Sequence, residues 1–182
     1  MFIRCFIAVT LLIAGLAPLL GCKSFPPPQH VEARVVRADE GEILERGKDN
    51  TITIKVDPVS GSPNMAVGTQ TIGTGGGIPL HTHEHEDELL FVHAGGGVVT
   101  VGDKQTNLAE GDTVYVPHGT WHAVKTGENG ISILWVVTPP GLETFFREIS
   151  SPRGAEPKEL TPDQIDDIAR KHGTRFKPNK DQ

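Results

Sequence analysis

Four residues constrain this chain more than any others: His81, His83, Glu88 and, thirty-four positions further on, His122. Imidazole and carboxylate are the usual protein ligands of a borderline divalent metal, and a set of three His and one Glu is hard to account for otherwise. Residues i and i+2 of a strand share a face, so His81 and His83 can aim at one ion. Glu88 lies an odd number of residues from both. It joins them only if the strand breaks in between, and the charged run Glu84-His85-Glu86-Asp87 supplies a turn. The spacing predicts a strand carrying both His, a tight loop, a second strand opening with Glu88, and a remote strand bearing His122.

A length of 182 residues suits a single domain. The composition, 37% hydrophobic and 22% charged with 21 Gly and 14 Pro, belongs to a turn-rich globular protein and not to a disordered one. Seventeen basic residues stand against twenty-three acidic ones, a net charge of −6, and no Lys/Arg cluster provides a nucleic-acid footprint.

Short β-rich stretches recur along the chain. They are Val31–Ala38 and Ile43–Glu45, which could be edge strands or an arm, then Thr51–Val56, Met65–Ile72, Glu88–His93, Val98–Val101, Val114–Pro117, Trp121–Lys125 and Ile131–Val137. The runs Gly73–Gly77 and Gly95–Gly97 read as turns, and Gly102-Asp103 as a two-residue hairpin turn. The first glycine run lacks the Lys-Ser/Thr and the following helix of a phosphate loop. Many short strands at near-regular spacing predict an all-β sandwich or barrel. After Pro139-Pro140-Gly141 the pattern turns helical. Leu142–Ile149 packs through Phe145, Phe146 and Ile149. Thr161-Pro162-Asp163-Gln164 is a capping box with Pro at the first helical position, Leu160 and Ile165 are staple residues, and Gly173 ends the helix. We read that second helix as structural.

The N-terminus is a separate element. Arg4 precedes an apolar run from Phe6 to Leu20, too short and too early for a membrane span, which reads as an export signal. Leu19-Leu20-Gly21-Cys22 resembles the lipobox of bacterial lipoproteins, which implies cleavage before Cys22, its acylation, and a membrane anchor. Lys23, not Asp, follows the Cys; by the same resemblance this favours the outer membrane of a double-membraned bacterium. Cys5 would leave with the signal, so the mature domain has no free thiol and no disulfide. The organisation expected is a signal peptide at 1–21, a tether and arm at 22–45 that includes Phe25-Pro26-Pro27-Pro28, a barrel at 46–140 and a helical extension at 141–182.

The metal segments resemble the cupin family. Its first motif, G-x5-H-x-H-x4-E-x6-G, is met at Gly75, His81, His83, Glu88 and Gly95; its second, G-x5-P-x-G-x2-H-x3-N, at Gly111, Pro117, Gly119 and His122. Thr126 stands where the family has Asn, which removes a turn-stabilising amide. A histidine-rich surface loop does not explain His122 at its motif position. The resemblance implies an all-β fold, the double-stranded β-helix or jelly-roll barrel, here with short C-terminal helices. It also implies one divalent ion (Mn, Fe, Zn, Ni, Co or Cu) held by His81, His83, Glu88 and His122. The tail looks like that of bacterial single-domain cupins labelled quercetin-dioxygenase-like.

Among the remaining histidines, His85 shares the parity of His83 and is an alternate ligand or reserve base; His118 is structural, His93 lies on the outer face, and His30 and His172 receive no role. Three imidazoles and a carboxylate leave two open positions on an octahedral ion. The expected activity is therefore a metal-dependent oxygenase acting on a small oxygenated molecule such as a flavonol, enediol or dicarboxylate, with Glu88 and His85 as proton acceptors. The alternatives are a non-catalytic metal or small-ligand binder and a sugar isomerase or epimerase. One Tyr and two Trp offer no conspicuous aromatic platform. Leu89, Phe91 and His93 form an outward, partly apolar stripe that predicts a homodimer.

Overall fold

A computed structural model describes residues 32–177. The export signal at 1–21, Cys22, the proline tether and His30 lie outside the described residues. Strands β1 (Glu42–Glu45), β2 (Asn50–Val56) and β3 (Ala66–Ile72) form an antiparallel meander. β4 (Gly77–His83) and β5 (Asp87–Val101) follow, then β6 (Lys104–Ala109), β7 (Thr113–Val116) and β8 (His122–Thr138). Helix α1 (Leu142–Ile149), the two-residue β9 (Ser151–Pro152), helix α2 (Pro162–Lys171) and β10 (Thr174–Phe176) complete the chain.

Hydrogen bonding joins the strands in the order β10-β4-β8-β3-β2-β1-β9, and β5 pairs with β6, β7 and β8. The result is the expected all-β jelly-roll with short helices. Its spine is the antiparallel pairing of β5 with β8, from Asp87↔Thr138 to Val101↔His122. The sequence divides each of these into two strands. The structure instead makes each continuous, and the glycines expected to form turns are corners. Gly95 has φ 72°, and a side chain at Gly97 would put its Cβ 2.1 Å from the Lys125 carbonyl oxygen, so bare backbone lets the bent strands stay paired. The Gly102-Asp103 turn is as expected, with φ 62° at Gly102 and Val101 opposite Lys104. Residues 32–37, read as either an edge strand or an arm, have no regular structure and so take the form of an arm. They are mostly exposed, and no described strand pairs with them. β6, β9 and β10 carry no signal that the sequence reading used.

Alternation places Ile131, Ile133, Trp135 and Val137 of β8 inside, against Leu90 and Val92 of β5 and Ile52 and Ile54 of β2. The indole of Trp135 lies across β3, and a Cβ on Gly68 would come within 2.2 Å of it. Leu89 and Phe91 take the opposite parity and face outward; Phe91 and His93 are exposed.

Helix α1 closes one end of the barrel by burying Leu142, Phe145, Phe146 and Ile149. Helix α2 has the full capping box. The Thr161 hydroxyl accepts from the Gln164 N–H, and the Gln164 side chain accepts from the Thr161 N–H. His172, given no role from sequence, links the helices: its ring nitrogens lie 3.0 Å from the Thr144 hydroxyl and 2.9 Å from a Glu148 carboxylate oxygen. α1 is tied to the meander by Arg147, which donates to Glu42 at 2.7 Å and to buried Asp57 at 2.6 Å. Asp57 also accepts from the Ser60 N–H at 2.9 Å.

Burial works to raise the Asp57 pKa, but the hydrogen bonds from Arg147 and Ser60 outweigh it and hold the carboxyl below the usual range. A depressed carboxylate contributes stability above its unfolded value, near ~3.9, and loses it as pH falls toward the folded value. Asp57→Asn is expected to lower the melting temperature at pH 7, with the gap to the parent shrinking progressively below about pH 4. Thermal scans across pH check this, and a gap that stays constant down to pH 2.5 contradicts it.

Candidate metal centre

The turn expected between His83 and Glu88 is present: β4 ends at His83, residues 84–86 bend, and β5 opens at Asp87. That break lets an odd-spaced Glu88 face the same point as the two His. The β4–β8 register sets His81 directly opposite His122. Two backbone bonds hold the ends of this arrangement. The Gly119 N–H donates to the His83 carbonyl at 2.7 Å, and the Glu84 N–H to the Gly173 carbonyl at 2.8 Å.

Thr126 performs the task expected to be lost with the family's Asn. Its buried hydroxyl lies 3.1 Å from the Gly73 carbonyl and 3.0 Å from that of Gly76, and its N–H donates to Gly76 at 3.1 Å. The glycine run leading into β4 is thereby fastened to β8.

His81, His83, Glu88 and His122 are all buried, and each offers one ligand atom within 4.8 Å of every other. The outer nitrogens fix the tautomers. His81 Nδ1 lies 2.8 Å from the Pro79 carbonyl and His122 Nδ1 lies 2.9 Å from the Thr120 carbonyl. A carbonyl only accepts, so Nδ1 carries the proton in both rings and Nε2 presents a lone pair inward. His83 Nδ1 meets the Thr174 hydroxyl at 3.1 Å, while its buried Nε2 has no hydrogen-bond partner.

His122 Nε2 is 2.9 Å from Glu88 Oε2, and His83 Nε2 is 3.7 Å from the same oxygen. Two lone pairs facing each other at 2.9 Å repel unless a proton or a metal ion lies between them, and one divalent ion would meet all four atoms. Adjacent ligands at about 2.1 Å and right angles are separated by about 3.0 Å, so the donor set fits a divalent ion.

The electrostatics point the same way. Burial, followed by the neighbouring His122 and His83, pushes the His81 pKa down to about 3. Burial alone would raise the Glu88 carboxyl, but the adjacent His122 and His83 rings outweigh it and keep it below the usual carboxylate range. A neutral imidazole and an ionised carboxylate are the states that ligate a metal.

The structure does not bring His85 to this point. Its side chain is 74% exposed and rests beside Gly173 and Glu84. His118 is exposed and anchors its turn, with ring and backbone nitrogens 2.8 and 2.9 Å from Asp87 Oδ1.

The four ligands line one wall of a cavity of about 80 Å³ inside the barrel. Sequence reading missed the opposite walls. Trp135, Phe145, Phe146 and Phe176 give the cavity an aromatic lining that counting Tyr and Trp did not reveal. From sequence Phe145 and Phe146 read only as a packing stripe. Trp135 and Phe146 meet edge to face at 5.5 Å, and Phe176 sits 5.8 Å from the His81 ring. β10 lies along β4 with Thr174 opposite His83 and Phe176 opposite His81, so the C-terminal extension builds part of the site. Arg46, Asn50 and Gln70 complete the polar lining.

His81→Ala, His83→Ala and His122→Ala are each expected to lose most of about one equivalent of divalent metal, measured by elemental analysis, while His85→Ala keeps it. Full occupancy in the His81/His122 double variant overturns the assignment. Thr174→Val, which removes the partner of His83 Nδ1, is expected to weaken metal affinity about 10–100-fold, with Thr174→Ser restoring most of it. Unchanged affinity in the Val variant shows that the hydroxyl does not support His83.

Comparison with known proteins agrees with this geometry. The Cupin domain profile matches residues 68–137. The uncharacterized protein SCO3923 of Streptomyces coelicolor is 35% identical over 77 residues, covering 42% of this chain and 72% of that protein. YrkC of Bacillus subtilis is 30% identical over 84 residues, or 42% of this chain and 45% of that one. Among solved structures, KdgF from Halomonas sp. superposes with a TM-score of 0.56 at 18% identity, covering 62% of this chain and 99% of that one, a likeness of fold. With the profile spanning the strands that carry all four ligands, this chain belongs to the cupin superfamily.

Proposed function

We propose that this protein is an exported, membrane-anchored metalloenzyme, a metal-dependent oxygenase of a small oxygenated molecule. The observation that carries the reading is the position of the four ligand atoms, buried together on one wall of an apolar cavity. A divalent ion bound there supplies Lewis acidity and, if redox-active, a means of engaging dioxygen. The protein's own groups do the rest. The Nδ1–H bonds of His81 and His122 hold their rings, and the aromatic wall keeps bulk water from the ligand face. Glu88 is the one carboxylate of the ligand set and the candidate proton acceptor.

The cavity volume narrows the substrate. About 80 Å³ accepts a molecule on the scale of several waters. Pockets for drug-sized ligands measure roughly 300–1,000 Å³. The space favours an enediol or short organic acid over a flavonol. His85 lies on the exposed side of the bend, away from the four ligands, so the proton-accepting role falls to Glu88.

Protein loaded separately with manganese, iron, cobalt, nickel or copper is expected to consume oxygen with an enediol or short organic acid, measured at an oxygen electrode. The uptake should disappear in His81→Ala. No uptake with any of these metals retires the oxygenase reading and leaves a binding protein.

Export and anchoring rest on the apolar run before Leu19-Leu20-Gly21-Cys22. Detergent phase partitioning checks them. The protein is expected in the detergent phase, with Cys22→Ser either released to the aqueous phase or left uncleaved. A wild-type protein that stays in the aqueous phase contradicts the anchor.

A further inference from the structure

Arg46 follows β1 directly and lies where the cavity lined by the four candidate ligands meets the groove beside α2, lining both. Its backbone N–H donates to the Asn50 carbonyl at 2.9 Å, which closes the β1–β2 hairpin and fixes the residue in place. Its side chain is half-buried and makes one hydrogen bond, from Nη1 to the Ile149 carbonyl at 3.3 Å. Arg147, Arg153, Arg170 and Arg175 each pair with a carboxylate. Arg46 pairs with none among the described residues. Burial lowers its pKa, yet a guanidinium stays charged at any ordinary pH. A partly desolvated cation without a counterion carries a free-energy cost that a bound anion offsets.

A second observation points to the same kind of ligand. Trp135 lines this cavity, and its buried Nε1–H has no acceptor. A buried donor left without an acceptor is a cost to the fold that a bound acceptor can offset. The cavity lining thus includes an unpaired cation, an indole whose donor is unmet, and apolar walls from Phe145, Phe146 and Ile149. Inorganic anions suit such walls poorly. A small organic anion suits both the charge and the walls.

We infer that the cavity selects a small organic carboxylate, bound through its carboxylate to Arg46, with its carbon body against the α1 phenylalanines and its far end toward His81, His83, Glu88 and His122. This rests on the metal-centre reading only for what the far end meets. Arg46 is a specificity-determining residue, and its guanidinium fork matches a carboxylate bidentately.

The test is calorimetric titration of the full chain with pyruvate and with pyruvamide, which have equal numbers of heavy atoms and differ in charge at one end. Pyruvate is expected to bind at least tenfold more tightly than its amide. Arg46→Gln should abolish that preference by weakening pyruvate alone, and Arg46→Lys should retain part of it, with all three proteins melting at similar temperatures. Equal binding of the two probes, no binding of pyruvate, or a preference that survives in Arg46→Gln overturns the inference. Metal content measured on the same samples separates the two readings. Metal-free protein that still prefers pyruvate through Arg46 sinks the metal centre alone, whereas metal-loaded protein with no preference sinks this inference alone.

Discussion

Three imidazole nitrogens and a carboxylate oxygen, drawn within 4.8 Å of one another inside an apolar barrel, form the interaction on which the rest of the structure depends. A buried carboxylate without compensation costs several kcal/mol, and packed lone pairs repel. The fold answers this from outside the quartet. Backbone carbonyls of Pro79 and Thr120 hold two ring protons outward, and the Thr174 hydroxyl meets the third ring. A divalent cation would satisfy the inward side. The barrel is built to hold four donor atoms still, and its hydrophobic core supplies the rigidity that this requires.

The quartet depends on strand register more than on any single contact. Pairing β4 with β8 sets His81 opposite His122, and a slip of one residue would turn each ring to the other face. Two devices prevent the slip. Thr126 ties the loop before β4 to β8, and the paired corners at Gly95 and Gly97 let β5 and β8 bend without losing their ladder. Loop and ligand are thereby parts of one mechanical unit.

The C-terminal extension is the second half of the site. Helix α1 brings Phe145 and Phe146 over the cavity and is held at its far end by Arg147 on Asp57 and Glu42. Helix α2, capped so firmly by Thr161 and Gln164, delivers β10 to the edge of β4. The helix that reads from sequence as structural therefore has a functional product: it carries Thr174 to His83 and Phe176 to His81. The resulting enclosure sets the size of any ligand and leaves Arg46 as the charged group at its rim.

The sequence by itself determined the ligands, because parity and turn chemistry act locally. His81 and His83 are two apart, the charged bend restores the parity of Glu88, and the Pro117–Gly119 turn precedes His122. The same locality specified α1 with its buried stripe and the capping box of α2. The cavity and its charge were decided only by the tertiary structure. Arg46 and His81 lie thirty-five positions apart in sequence, and β10 meets β4 across some ninety, with no periodic pattern marking either meeting. His85 has the right parity, but the bend turns it to solvent. The glycines at 95–97, which locally mean a turn, become a corner because β8 passes close enough that only bare backbone fits. Local rules fix which way a side chain leaves its own strand; which wall it then faces depends on strands far away in the chain.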